Sequence, residues 1–136
     1  MKRIVLAASL TALFLAATRW TGAQQPGTTP QFTGTSTPMD GKDLSAARRS
    51  FEAGARSYWH SHDNGQLLFV EKGTMRTAKR GEKMRELKPG ESDYTAPNVV
   101  HWHGAGPKEP LVQINVGFSG GSKWYEAVTD AQYNGK

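Results

Sequence analysis

Cysteine is absent from this 136-residue chain, so no disulfide supports the fold and any bound metal must be held by nitrogen and oxygen donors. The apolar run from Ile4 to Ala17 falls short of the roughly 20 residues that a membrane-spanning helix needs. No long helical period of apolar residues runs through the middle of the chain, which argues against a helical bundle. Histidine is scarce as well. All four histidines fall in two pairs, His60-Ser61-His62 and His101-Trp102-His103. Residues two apart on a strand project to the same side, so each pair can aim two imidazoles at one point.

Lys2 and Arg3 precede the apolar run, and Thr21-Gly22-Ala23 follows it as a small-residue cleavage signal. Residues 1–23 therefore read as an export leader, and the expected location is periplasmic or secreted. The formal net charge is +5, from 17 basic and 12 acidic residues. Without Lys2, Arg3 and Arg19 the balance is 14 to 12, so the basic character owes much to the leader. That is a weak argument for nucleic acid or an anionic membrane as partner, and neither is expected of the mature chain. The cluster Arg76, Lys79, Arg80, Lys83, Arg85 and Lys88 is interleaved with Glu82 and Glu86, as on a solvated hairpin tip.

Residues 24–42 are rich in Gly, Pro, Thr, Ser and Gln and read as a flexible lead-in. A single domain is expected over residues 43–136. Strands are expected at Leu44 to Phe51, Ser57 to His62, Gln66 to Val70, Gly73 to Thr77, Lys83 to Leu87, Ser92 to Thr95, Val99 to His103 and Leu111 to Phe118. Asp63-Asn64-Gly65, Lys88-Pro89-Gly90 and Ala96-Pro97-Asn98 supply turns between them. A short helix is expected over Lys123 to Gln132, packed through Trp124, Val128 and Tyr125. Short strands at turn-separated intervals point to an all-β sandwich or barrel. The apolar face formed by Val112, Ile114, Val116 and Phe118 calls for a covering partner, and a homodimer or higher homo-oligomer would supply one.

The spacing around the first pair is Gly54, five residues, His60, one residue, His62, three residues, Gln66, six residues, Gly73. Around the second pair, Gly90 lies eleven residues before His101, with Pro97-Asn98 between them. From about Phe51 to Phe118 these motifs resemble the cupins, whose fold is a double-stranded β-helix, or jelly-roll barrel. Gln66 stands where a glutamate is common in that family, and Asn98 where a turn glycine is common. Asn tolerates the left-handed conformation such a turn requires. The resemblance places His60, His62, Gln66 and His101 on one divalent transition metal, and the spacing allows it. Gln66 could instead hydrogen-bond beside the ion. Three imidazoles and an amide are neutral, so the ion would keep its full charge and favour anionic ligands.

His103 shares a face with His101 and is the candidate proton-handling residue. The alternatives are that it orients a ligand or lines the barrel. Gln113, Asn115 and Arg49 are candidates for the substrate pocket, although Arg49 could also be a solvated charge on an edge strand. The segments Phe51 to Arg56, Trp59 to His62, Pro97 to Ala105 and Trp124 to Tyr133 are similar to small bacterial cupins. Those include manganese-dependent hydroxynitrile lyases and the cupins associated with carboxymuconolactone decarboxylases. This resemblance implies a lyase, isomerase or decarboxylase acting on a small oxygenated molecule, with manganese ahead of Fe, Ni, Zn or Cu. A metal-dependent dioxygenase and a non-enzymatic metal- or carboxylate-binding protein are the competing readings. Gln113 falls where those lyases carry a second active-site histidine, and an amide cannot act as a base.

Overall fold

The computed structural model describes residues 32–136, so the expected leader and the start of the expected lead-in lie outside the described residues. Residues 32–38 hold no strand or helix and belong to a unit separate from Met39–Lys136. The larger unit contains nine strands in chain order. They are β1 (Leu44–Phe51), β2 (His60–His62), β3 (Gln66–Lys72), β4 (Met75–Lys79), β5 (Arg85–Leu87), β6 (Ser92–Thr95), β7 (His101–Ala105), β8 (Leu111–Phe118) and β9 (Ser122–Trp124). A single-turn helix, α1 (Asp130–Tyr133), follows. No helix among the described residues is long and apolar enough to cross a membrane.

The strands form two sheets, with orders β1-β8-β3-β6 and β5-β4-β7-β2-β9. All named pairings are antiparallel, and the two sheets face each other across a common interior as a jelly roll. Alternation of side chains fixes what enters that interior. From β3 these are Gln66, Leu68 and Val70; from β7, His101, His103 and Ala105; from β8, Leu111 and Gln113. Leu68, Val70, Met75, Leu87, Ala105 and Leu111 make one buried cluster, with Phe51 against it. Fully burying side chains of the Leu or Met type contributes roughly 1.5–3 kcal/mol each.

A second cluster lies on the outer side of the five-stranded sheet. Trp59, Ala78 and Trp102 are covered there by Val128 and Tyr133. Thr129 caps α1 and exchanges hydrogen bonds with Gln132, and the Tyr133 hydroxyl donates to the Ala105 carbonyl at 2.7 Å. Arg56 and Arg76 lie over the Tyr133 ring, at 4.5 and 4.8 Å from its centre. Among the described residues the four-stranded sheet has no such cover. Leu44, Phe69 and Tyr94 are exposed on it, beside partly buried Val112, Ile114, Val116 and Phe118.

Two expectations need correction. The stretch Lys123 to Gln132 is not a helix: its start belongs to β9, and α1 begins only at Asp130. Trp124, expected to pack under that helix, is 63% exposed and stacks on the His60 ring instead. The physical reason is that Ser122–Trp124 can hydrogen-bond to the free edge of β2, which a helix there would leave unpaired. Asn98 does sit in the left-handed region, at φ 62°.

Candidate metal centre

The short turn at Asp63-Asn64-Gly65 carries the chain from β2 to β3 and positions the first group of donors. Gly65 has a φ of 83°, and a Cβ there would lie 2.6 Å from the Thr95 carbonyl, so only glycine fits. The turn brings Gln66 back beside the two histidines of β2. Strand β7 then sets His101 directly opposite His60 in register. The ring centres of His60 and His101 are 4.3 Å apart, and those of His62 lie 5.1 and 5.5 Å from the same two rings. His103 is 5.3 Å from His60 and 5.9 Å from His101. All four histidines therefore gather at one end of the barrel.

The hydrogen bonds define where two of the rings, His60 and His103, carry their protons. His60 Nδ1 donates to the Tyr58 carbonyl at 2.9 Å, which leaves the Nε2 lone pair facing the interior. His101 Nε2 lies 3.1 Å from Gln66 Oε1, while its Nδ1 lies 3.4 Å from the Val99 carbonyl. Two donors each about 2.1 Å from one ion and at right angles to each other would lie about 3 Å apart, so this pair suits a shared metal. His62 Nδ1 meets Ser122 Oγ at 2.8 Å, and its Nε2 is buried with no partner. Such an orphaned nitrogen, set among other donors, is what a metal would satisfy.

His103 is held differently. Gln113 Nε2 can only donate, and it reaches both His103 Nδ1 at 3.1 Å and Asn115 Oδ1 at 2.6 Å. Nδ1 of His103 therefore accepts, and the ring proton lies on Nε2. Gln113 is fully buried behind His103 rather than lining the cavity as the sequence suggested. Asn115 and Arg49 do line it, together with Phe51, His60, His62, Gln66, His103 and Trp124. Its volume is about 370 Å³. The contributions of Phe51, Ser122 and Trp124 were missed from sequence, because the short segment Ser122 to Trp124 carries no clear alternation.

Burial keeps the whole cluster neutral. Desolvation, with the neighbouring imidazoles adding to it, pulls His60 down to about 4 and His101 to about 3. His103 lies well below its ordinary value for the same two reasons. His62 is also lowered by desolvation, with Gln66 and Asp63 opposing the shift. Neutral imidazoles with inward lone pairs are the form that binds metal. His60, His101 and His103, all buried, offer ring nitrogens within 4.8 Å of one another and could hold an ion.

Known proteins are similar to this chain in sequence or in fold. The (R)-mandelonitrile lyase of Granulicella tundricola is 36% identical over 93 residues, which cover 66% of this chain and 71% of that protein. A cupin-like protein from Thermotoga maritima, of known structure, is 41% identical with a TM-score of 0.65, covering 68% of this chain and 71% of its own. The DMSP lyase DddQ from Ruegeria pomeroyi is 18% identical with a TM-score of 0.55, covering 73% of this chain and 49% of its own, a likeness of fold alone. The family described as a cupin domain matches residues 47–117, a span that holds both histidine pairs, and the chain belongs to the cupin family.

Proposed function

We propose that the chain is a metal-dependent cupin enzyme of the lyase type, acting on a small oxygenated substrate. His60, His62, Gln66 and His101 would hold one divalent transition metal, with manganese the first candidate. The observation that carries this choice of ligands is the contrast in ring protonation. His62 has a buried Nε2 without a partner, whereas the Gln113 amide leaves His103 with a proton on Nε2. With its proton on Nε2 His103 does not ligate and is left free for chemistry, and joining His60 and His101 on an ion would require its other tautomer.

When bound, the metal would acidify a coordinated hydroxyl and polarise a carbonyl. The chain's own residues supply the rest. His103 Nε2–H faces the cavity as a hydrogen-bond donor and can stabilise or protonate a leaving group. Asn115 lines the cavity with its carbonyl oxygen already engaged by Gln113, which leaves its amide protons for substrate. Phe51 packs edge-on against His103 at 5.7 Å and Trp124 stacks on His60 at 4.7 Å, and both shield these rings from water. The relative named as a mandelonitrile lyase supports the lyase class. Because Gln113 is an amide, a lyase step here would rely on the metal rather than on a second base.

Elemental analysis of protein from its native compartment, beside His101→Ala, tests the shell. Wild type should carry about one metal per chain and the variant almost none. Full occupancy in the variant would overturn the ligand set. Turnover of cyanohydrins and 2-hydroxy acids, followed together with oxygen uptake, separates a lyase from a dioxygenase. We also propose export through residues 1–23 and self-association through the uncovered sheet. N-terminal sequencing and sedimentation velocity check these two points.

A further inference from the structure

Two neighbouring arginines on β1 meet opposite fates. Arg48 points away from the barrel and is neutralised by Glu71, with nitrogen–oxygen distances of 2.6 and 2.9 Å. Arg49 stands opposite Gln113 in register and lines the cavity that holds the histidines. Among the described residues no ion pair joins Arg49. No carboxylate lines the cavity either. Asp93, the buried acid of this barrel, is taken up by Arg85 at 2.6 Å and Lys79 at 3.5 Å and stays outside the lining. Asp63 is engaged by the Gly121 amide at 2.8 Å.

The cavity therefore joins an unpaired guanidinium to a set of neutral donors, with no anion to balance either. A divalent ion on those donors would make the imbalance larger. Resting on the metal reading above, we propose that this site selects a small carboxylate, with Arg49 as the residue that sets the specificity. The guanidinium fork matches a carboxylate in two parallel hydrogen bonds, which a nitrile or a neutral amide cannot accept as a charged pair. A hydroxyl or oxo group on the adjacent carbon would reach the histidine donors. An aromatic or aliphatic body would lie against Phe51 and Trp124, and a cavity of about 370 Å³ keeps that body small. The ligand class is a 2-hydroxy or 2-oxo carboxylate rather than the neutral cyanohydrin acted on by the mandelonitrile lyase relative.

Mandelate and mandelamide share one carbon skeleton and differ in charge, so they isolate the role of Arg49. Their affinities are measured by calorimetry on the manganese-loaded full chain, on Arg49→Gln and on Arg49→Lys. Metal content and thermal midpoint are recorded on the same samples. Wild type should bind mandelate about 10- to 100-fold more tightly than mandelamide, the range expected of charge-assisted hydrogen bonds. Arg49→Gln should lose that advantage while keeping its metal and its mandelamide affinity. Arg49→Lys should recover only part of it, because the charge remains and the fork does not. A metal-loaded chain that binds the two alike, or binds neither, overturns the carboxylate proposal and leaves the metal site standing. So does an Arg49→Gln variant that keeps the preference. A chain that takes up no metal overturns the metal reading and this proposal with it.

Discussion

The two ends of one barrel are built from the same strands and differ in almost every physical respect. Along β3 the inward series runs Gln66, Leu68, Val70; along β7 it runs His101, His103, Ala105; along β8 it runs Asn115, Gln113, Leu111. Each series starts polar at the histidine end and turns apolar at the other. At the apolar end, Leu68, Val70, Met75 and Ala105 are fully buried in one cluster with no polar atom to satisfy. At the histidine end, His62 Nε2, Gln113 Oε1 and Thr95 Oγ1, the last on the residue opposite Gln66, are buried without partners. One end stabilises the fold, and the other spends some of that stability to hold unsatisfied groups in place.

The largest expected effect is on pH dependence, and it comes from the histidine end alone. In metal-free protein, the folded state refuses protons that the unfolded chain accepts at about 6.5. The unfolded state therefore binds more protons as the pH falls below 6.5, and stability falls with it, down to about 4 for His60 and about 3 for His101. At pH 5.5 His60 and His101 should each cost about 1.4 kcal/mol relative to pH 7.5, and His103 should add to that loss in the same direction. Urea denaturation of chelator-treated protein across that range measures it. A flat profile would mean that the cluster is not buried in the neutral form. Leu68→Ala acts at the opposite end and should remove about 3 kcal/mol at every pH, lowering the profile without changing its slope.

Metal addition should separate the ends next. With manganese at a hundredfold excess over its dissociation constant, the native state gains about 2.7 kcal/mol, read as a rise in thermal midpoint. Leu68→Ala should show the same gain from a lower baseline, because Leu68 does not touch the donors. His101→Ala should show none. Loss of the gain in Leu68→Ala would mean that the two ends are mechanically coupled.

How legible this division is from sequence depends on the element. The strand Leu111–Phe118 and the turn at Asp63-Asn64-Gly65 are both written locally, in period-two alternation and in turn chemistry, and both are found in place. The convergence of His60, His62, Gln66 and His101 at one end is legible because their spacings resemble a known family. The strand Ser122–Trp124 was not legible. Its pairing partner is β2, about sixty residues away, and three residues after two glycines carry too little pattern to separate strand from helix. That miss hid Ser122, whose hydroxyl orients His62, and put Trp124 in a core it does not join. The fate of Arg49 was also beyond local pattern. Whether an exposed strand's arginine faces solvent or a cavity depends on which sheet its strand joins.

The smallest and most specific effect concerns the residue that links the two ends along β8. Gln113 stands between Leu111 and Asn115 and is fully buried, and its amide protons fix both His103 Nδ1 and Asn115 Oδ1. Gln113→Leu keeps the apolar bulk and removes the two donors. The loss in stability should be only about 1 kcal/mol, the usual worth of a hydrogen bond, because Asn115 is partly exposed and can turn to water. The effect on His103 should be qualitative. With no donor at Nδ1, the ring is free to place its proton there, and the nitrogen-15 shifts of its two ring nitrogens should move from distinct values toward averaged ones. His60 and His101 are tied to backbone carbonyls through Nδ1, so their ring signals should stay where they are. If His103 keeps its proton on Nε2 in Gln113→Leu, its tautomer is set by the histidine cluster itself, and Gln113 belongs to the packing of the apolar end rather than to the chemistry of the other.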